Sequence, residues 1–181
     1  ESQYGFATIF YAFYDNNEAM LAKLKAGATG YDCAIPSGYM ASVLIKSGLL
    51  EPLDFAYLPN TKHTLPTFQN PVYDPGTDGQ HYTVPYMWGC AGYCMRTDIL
   101  DDPITKWIDL WDPKYKGKID MMFDERETLG AALKVLGYSY NSTNEDELNA
   151  AADKAIEQKP LVNKYIITNS YREIVSGKAP I

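Results

Sequence analysis

Histidine and cysteine are scarce in this chain, and positive charge is the minority sign. The two histidines, His63 and His81, fall in a loop and at the entry to an extended stretch, without metal-ligand spacing. A surface or hydrogen-bonded role is the reading for both, and no metal or other cofactor is expected. Cys33, Cys90 and Cys94 make an odd count, so full internal pairing is excluded. Were the stretch around Cys90 and Cys94 extended, strand rise would set them on one face about 13 Å apart, beyond disulfide reach. The three read as small, buried, apolar residues. Lys and Arg number 16 against 23 Asp and Glu, a net charge of −7. That argues against nucleic acid, whose partners carry a basic face. No membrane-spanning run and no signal pattern lies within these residues. The start, Glu1-Ser2-Gln3-Tyr4-Gly5, reads as the tail of a helix, and Ala179-Pro180-Ile181 as the first residues of a strand. The expectation is a portion of a longer fold.

What the chain does have is apolar weight and tyrosine. Hydrophobic residues make up 46% of 181, enough for a folded core in one ordinary domain or two small lobes. Tyrosine occurs 15 times, and its apolar face with a polar tip suits clefts and interfaces.

Hydrophobic and turn patterns predict strands over 6–14 and 31–35, each followed by a helix: one through Ala19 to Leu24 with a stop at Gly27, one over 39–46 with a stop at Gly48. Strand-helix repetition implies parallel pairing. Five prolines between 49 and 79 predict loops and short helical turns. Residues 81–95 read as one long extended stretch in which Gly89 and Gly92 would let the chain pass from one sheet to another. Trp107 to Trp111 reads as a short helix stopped by Pro113, with both tryptophans in the core. A strand over 118–123, helices over 128–136 and 144–158, a strand over 165–168 and a helix over 170–176 follow. The change in character near Trp88 to Cys94 predicts two α/β lobes, 1–89 and 90–181, with a ligand cleft between.

Two strand-to-helix turns carry the candidate chemistry, because ligands of open α/β folds gather outside the carboxyl ends of strands. In Phe123-Asp124-Glu125-Arg126-Glu127, Asp124 and Glu127 fall on one side of a helix start. They suit either a capping-box-like pair or a shared cation, and one can cap while the other binds. In Ser37-Gly38-Tyr39, Ser37 either caps a helix or lines a cleft, and Gly38 allows close approach. No histidine lies near Ser37 and no nucleophile elbow surrounds it. Two acids on one helical turn do not straddle a bond as a glycosidase pair does. An enzyme is therefore not expected. Tyr86 and Trp88 alternate onto one face, where core packing is the default. If that face lines the cleft, each ring offers a cation about 0.5–2 kcal/mol.

The series Tyr31-Asp32…Pro36-Ser37-x-Tyr39, Val84-Pro85-Tyr86-x-Trp88-Gly89, Trp107-x-Asp109-Leu110-Trp111-x-Pro113-x-Tyr115-Lys116-Gly117, Asp124-x-Arg126-Glu127 and Leu136-Gly137-Tyr138 resembles the bacterial spermidine/putrescine-binding proteins, the extracytoplasmic components of polyamine ABC importers. The motifs run in order across nearly the whole chain. The resemblance implies an α/β, type II periplasmic-binding-protein fold of two lobes with crossing hinge strands, incomplete here at both ends. It implies Ser37 and Tyr39 as first-lobe ligand contacts, and Asp124 and Glu127 as second-lobe acids for the ammonium groups. With them go a polyamine ligand, an ABC permease as partner, a periplasmic or membrane-anchored location, and a monomer. Gly38 departs from the larger residue that the resemblance implies there, and Met40 from a common aromatic. A ferric ion, an anion or an amino-acid-like solute is the alternative ligand.

Overall fold

The computed structural model describes Gly5 and residues 8–76, 79–167 and 170–181. The start of the first predicted strand, the end of the last and the reading of residues 1–4 as a helix tail lie outside them. The chain divides into two compact units, Glu1–Gly89 and Cys90–Ile181.

In the first unit, Asn16 accepts a bond from Ala19 N at 2.8 Å and starts α1, Asn17–Lys25. Gly27 ends the turn with φ 82°, a conformation that costs glycine little. α2, Gly38–Lys46, buries Met40, Ala41 and Leu44. Met20, Met40 and Leu44 form a small core, with Leu21, Leu24 and Val43 around it. Among the described residues the proline-rich stretch forms the 3-10 turns Phe55–Tyr57, Pro59–His63 and Pro66–Phe68.

Among the described residues the stretches predicted as strands at 6–14, 31–35 and 81–95 form no ladder. Phe10 and Phe13 are more than nine-tenths exposed. The Tyr14 hydroxyl donates to the Ile35 carbonyl, which ties two of these stretches together by a side chain. β-Propensity measures fit to neighbouring strands, and no described strand pairs with these stretches. The three cysteines lie in these same stretches and are exposed, free thiols, contrary to the expectation of burial.

The second unit is better packed. β1, Ile119–Met122, pairs in parallel with β2, Val162–Ile166. β2 begins three residues earlier than predicted. Between them run α3, Glu125–Val135, and α4, Glu145–Gln158, which pack on each other. α3 starts three residues before the predicted 128, because Asp124 caps it. Asn144 caps α4 by accepting from Asp146 N and Glu147 N. α5, Ser170–Ser176, follows β2. Ala132 and Ala151, both fully buried, belong to one core with Leu110, Trp111, Ile119 and Leu133.

Trp107–Trp111 forms a 3-10 turn rather than an α-helix. It is bolted to α4: Trp111 Nε1 donates to the Lys154 carbonyl at 2.7 Å, and Gln158 Nε2 to the Leu110 carbonyl at 3.2 Å. On the edge of β1 away from β2, Ile181 N donates to Lys118 O at 3.2 Å and Ile181 O accepts from Asp120 N at 2.9 Å. These two bonds make one parallel bridge.

Candidate functional site

Of the predicted residues of the first unit, Ser37 and Tyr39 meet through one side chain, that of Asn17. Asn16 does the capping, so Asn17 is left to point inward, and it is buried. Its Nδ2 donates to Ser37 Oγ at 3.1 Å and to the Tyr39 hydroxyl at 3.2 Å. Its Oδ1 accepts from Ser37 N at 3.2 Å. The start of α1 is thereby clamped to the start of α2. The Tyr39 hydroxyl donates onward to Glu18 Oε1 at 2.8 Å. Ser37 stands at the N-cap of α2 but makes no capping bond. Ser37 is exposed, and its hydroxyl oxygen is held by Asn17.

Gly38 has a packing reason for being glycine. A Cβ placed there would lie 2.6 Å from a carbon of the Tyr73 ring. Burial, and then the adjacent Asp74 charge, push the Tyr73 phenol above its ordinary range. The departure of Gly38 from a larger residue is matched by an aromatic ring filling the space.

Tyr86 and Trp88 are largely exposed, at 76% and 70%, so the default of core packing fails for both. Without a ladder over 81–95 nothing turns their shared face inward. Trp88 meets Phe68 with ring centroids 5.9 Å apart. His81 stands with its ring edge on Phe55 at 5.8 Å, and Nδ1 lies 3.8 Å from Asp74 Oδ1. Among the described residues no group of three or more His, Cys, Asp or Glu could hold a metal ion.

In the second unit, Asp124 and Glu127 take different partners. Asp124 Oδ1 accepts from Glu127 N at 2.9 Å and caps α3. The Glu127 side chain does not complete a capping box. Its Oε2 accepts the Tyr140 hydroxyl at 2.7 Å instead. Among the described residues the second oxygen of each carboxylate carries no hydrogen bond. Both side chains are half-buried. Three acids against one arginine over 124–127 give this helix start a negative surplus. Asp124 also borders an open pocket of about 450 Å³ floored by Met122, Phe123, Leu129, Ile156 and Tyr165, which Glu127 does not line.

Tyr140 reaches Glu127 because the chain doubles back after α3. Gly137 turns it with φ 82°, and the Tyr140 ring then lies on Gly130, where a Cβ would meet it at 2.1 Å. Arg126 stacks over that ring at 5.7 Å and donates to Asn141 Oδ1. Burial, and then the bond to Glu127, push the Tyr140 phenol well above its ordinary range. Asn17, Glu18, Tyr73 and Tyr140 are the residues that sequence reasoning missed. Gly38 and Gly130 were the signal for two of them, since a glycine near a helix start or inside a helix invites the question of what lies against it.

A family model described as bacterial extracellular solute-binding protein matches residues 6–173. The chain is 35% identical over 172 residues to a spermidine/putrescine-binding periplasmic protein of Salmonella typhimurium, covering 94% of this chain and 49% of that one. It therefore spans about half the length of the curated relatives it matches. Among solved structures it superposes on a spermidine/putrescine ABC transporter protein of Listeria monocytogenes with TM-score 0.87 at 32% identity, over 97% of this chain and 54% of that one. The TpPotD lipoprotein of Treponema pallidum gives TM-score 0.81 at 34% identity, over 92% and 52%.

Proposed function

The chain belongs to the bacterial extracellular solute-binding protein family, and from that membership we propose that it is part of a protein that captures spermidine or putrescine outside the cytoplasm and hands it to an ABC permease. The observation that carries this reading is the pair of carboxylates at the start of α3. Asp124 and Glu127 each hold one oxygen by an internal bond and keep the other open. A carboxylate fixed by one oxygen is a pre-oriented acceptor for an ammonium group, and charge-assisted bonds to it are strong and directional.

In this reading Ser37 and Tyr39 supply hydroxyl contacts, and Tyr86 and Trp88 supply exposed rings for the methylene chain and its cationic ends. The two units are portions of the two lobes of the whole protein. Relatives of this chain are named as binding proteins, and no bond is made or broken in the proposed cycle. The ligand is bound, the protein changes shape, and the permease receives it.

The test uses the full-length protein that contains this chain. Asp124→Asn or Glu127→Gln is expected to weaken spermidine binding at least about tenfold by calorimetry, the equivalent of one charge-assisted bond. Unchanged affinity in both would overturn the site. A thermal-shift screen of spermidine, putrescine, ferric ion and amino acids identifies the solute class, and a shift confined to iron or amino acids would overturn the polyamine reading.

A further inference from the structure

Tyr140 gives the carboxylate site a part that the ligand contacts alone do not include. A glutamate has three rotatable bonds, and fixing such a side chain costs rotamer entropy. Binding is tighter when that ordering is done before the ligand arrives. Here the Tyr140 hydroxyl holds Glu127 Oε2 at 2.7 Å. The phenol is itself held: its ring lies on Gly130 without room for a Cβ, and the Arg126 guanidinium lies over the ring at 5.7 Å while bonded to Asn141. Because the donor is a neutral hydroxyl, the carboxylate keeps its net charge for a cation, which an ion pair with Arg126 would cancel.

From this geometry we infer that Tyr140 is a positioning residue for solute capture, fixing the Glu127 carboxylate so that Oε1 is presented to an ammonium group. The inference rests on the assignment of Glu127 as a ligand residue. Tyr140 touches no ligand in it and acts through Glu127 alone.

Spermidine affinity of the full-length protein is measured by calorimetry for the parent, Tyr140→Phe, Glu127→Ala and the double variant. Tyr140→Phe removes one oxygen and leaves the ring on Gly130 and under Arg126. It is expected to weaken binding about five- to thirtyfold, the equivalent of the rotamer ordering that Glu127 would then pay on binding. Introduced into Glu127→Ala, the same change is expected to alter affinity less than about twofold, within the scatter of additivity. A tyrosine that merely supports the fold would weaken binding equally in both backgrounds, and that result overturns the inference. So does Tyr140→Phe with parental affinity while Glu127→Ala is weak, which leaves the ligand assignment standing. Parental affinity in Glu127→Ala, or a parent that does not bind spermidine, overturns the inference and the assignment beneath it together.

Discussion

Replacing Gly38 by alanine tests whether the turn between Ser37 and Tyr39 is shaped by Tyr73. Gly38 opens α2 without a positive φ, so its backbone suits alanine. The added Cβ would lie 2.6, 2.8 and 3.1 Å from Cδ1, Cε1 and Cγ of Tyr73. Carbon atoms rest at about 3.5–4.0 Å, so the ring edge must retreat by about 1 Å. Contact with Cγ, at the root of the ring, means that a spin about the ring axis does not relieve it. Tyr73 is followed by Asp74, whose carboxylate is tied to Tyr82 and Thr83, so backbone movement is resisted as well. Overpacking of this kind costs about 1–3 kcal/mol. Glycine to alanine in a helix returns at most about 1 kcal/mol. The expected outcome of Gly38→Ala in the full-length protein is a net loss of up to about 2 kcal/mol after that gain, read from the urea midpoint. In a Tyr73→Ala background the clash is gone, and the same substitution is expected to be neutral or stabilising by up to about 1 kcal/mol. A raised midpoint in the parent, or the same effect in both backgrounds, would refute the packing argument.

Asp74 is buried and accepts Tyr82 N, Thr83 N and the Thr83 hydroxyl at 2.9, 2.8 and 2.7 Å on one oxygen. Asp74→Ala orphans those donors and is expected to cost about 2–4 kcal/mol. Asp74→Asn keeps an acceptor and is expected to cost less than half as much, and equal losses in urea unfolding would show that the bonds are not what matters. Bonds from the backbone N–H of Thr105, then of Lys106, hold the Asp109 carboxyl below its ordinary value of 3.8. A lowered carboxyl stabilises the fold in full above its unfolded value and loses that contribution as pH falls through the folded one. Asp109→Asn is therefore expected to flatten the stability profile below about pH 4 and leave its shape near neutrality unchanged, and an unaltered acid limb in pH-dependent unfolding would refute it. The Tyr140 phenol is shifted the other way. Its contribution is present below the ordinary value of 10.0 and lost as pH rises above it, so Tyr140→Phe is expected to remove that alkaline loss from the same profiles.

The helices were legible because their signals are local. Asn16 and Asn144 cap, Gly27, Gly48 and Gly137 stop, and each sits within a turn of what it controls. Asp124 was legible in the same way, and its cap moved the start of α3 back by a turn. The partner of Glu127 was not, because Tyr140 lies 13 residues on and reaches back only after a glycine turn. Nor was Asn17, whose links to Ser37 and Tyr39 span 20 and 22 residues. The strands split along the same line. β1 and β2 find each other and were seen, while 8–14, 31–35 and 81–95 carry strand-forming residues without a described partner. A pattern of side chains records what a strand wants to face and not whether the neighbour is there.

The thiols of Cys33, Cys90 and Cys94 open onto solvent, and this makes the chain easy to label and easy to spoil. Maleimide dyes are expected to reach all three in this chain, so a single-cysteine version at Cys33 or Cys94 reports from one unit at a time. Air will join copies of the chain through the same sulfurs unless a reductant is present.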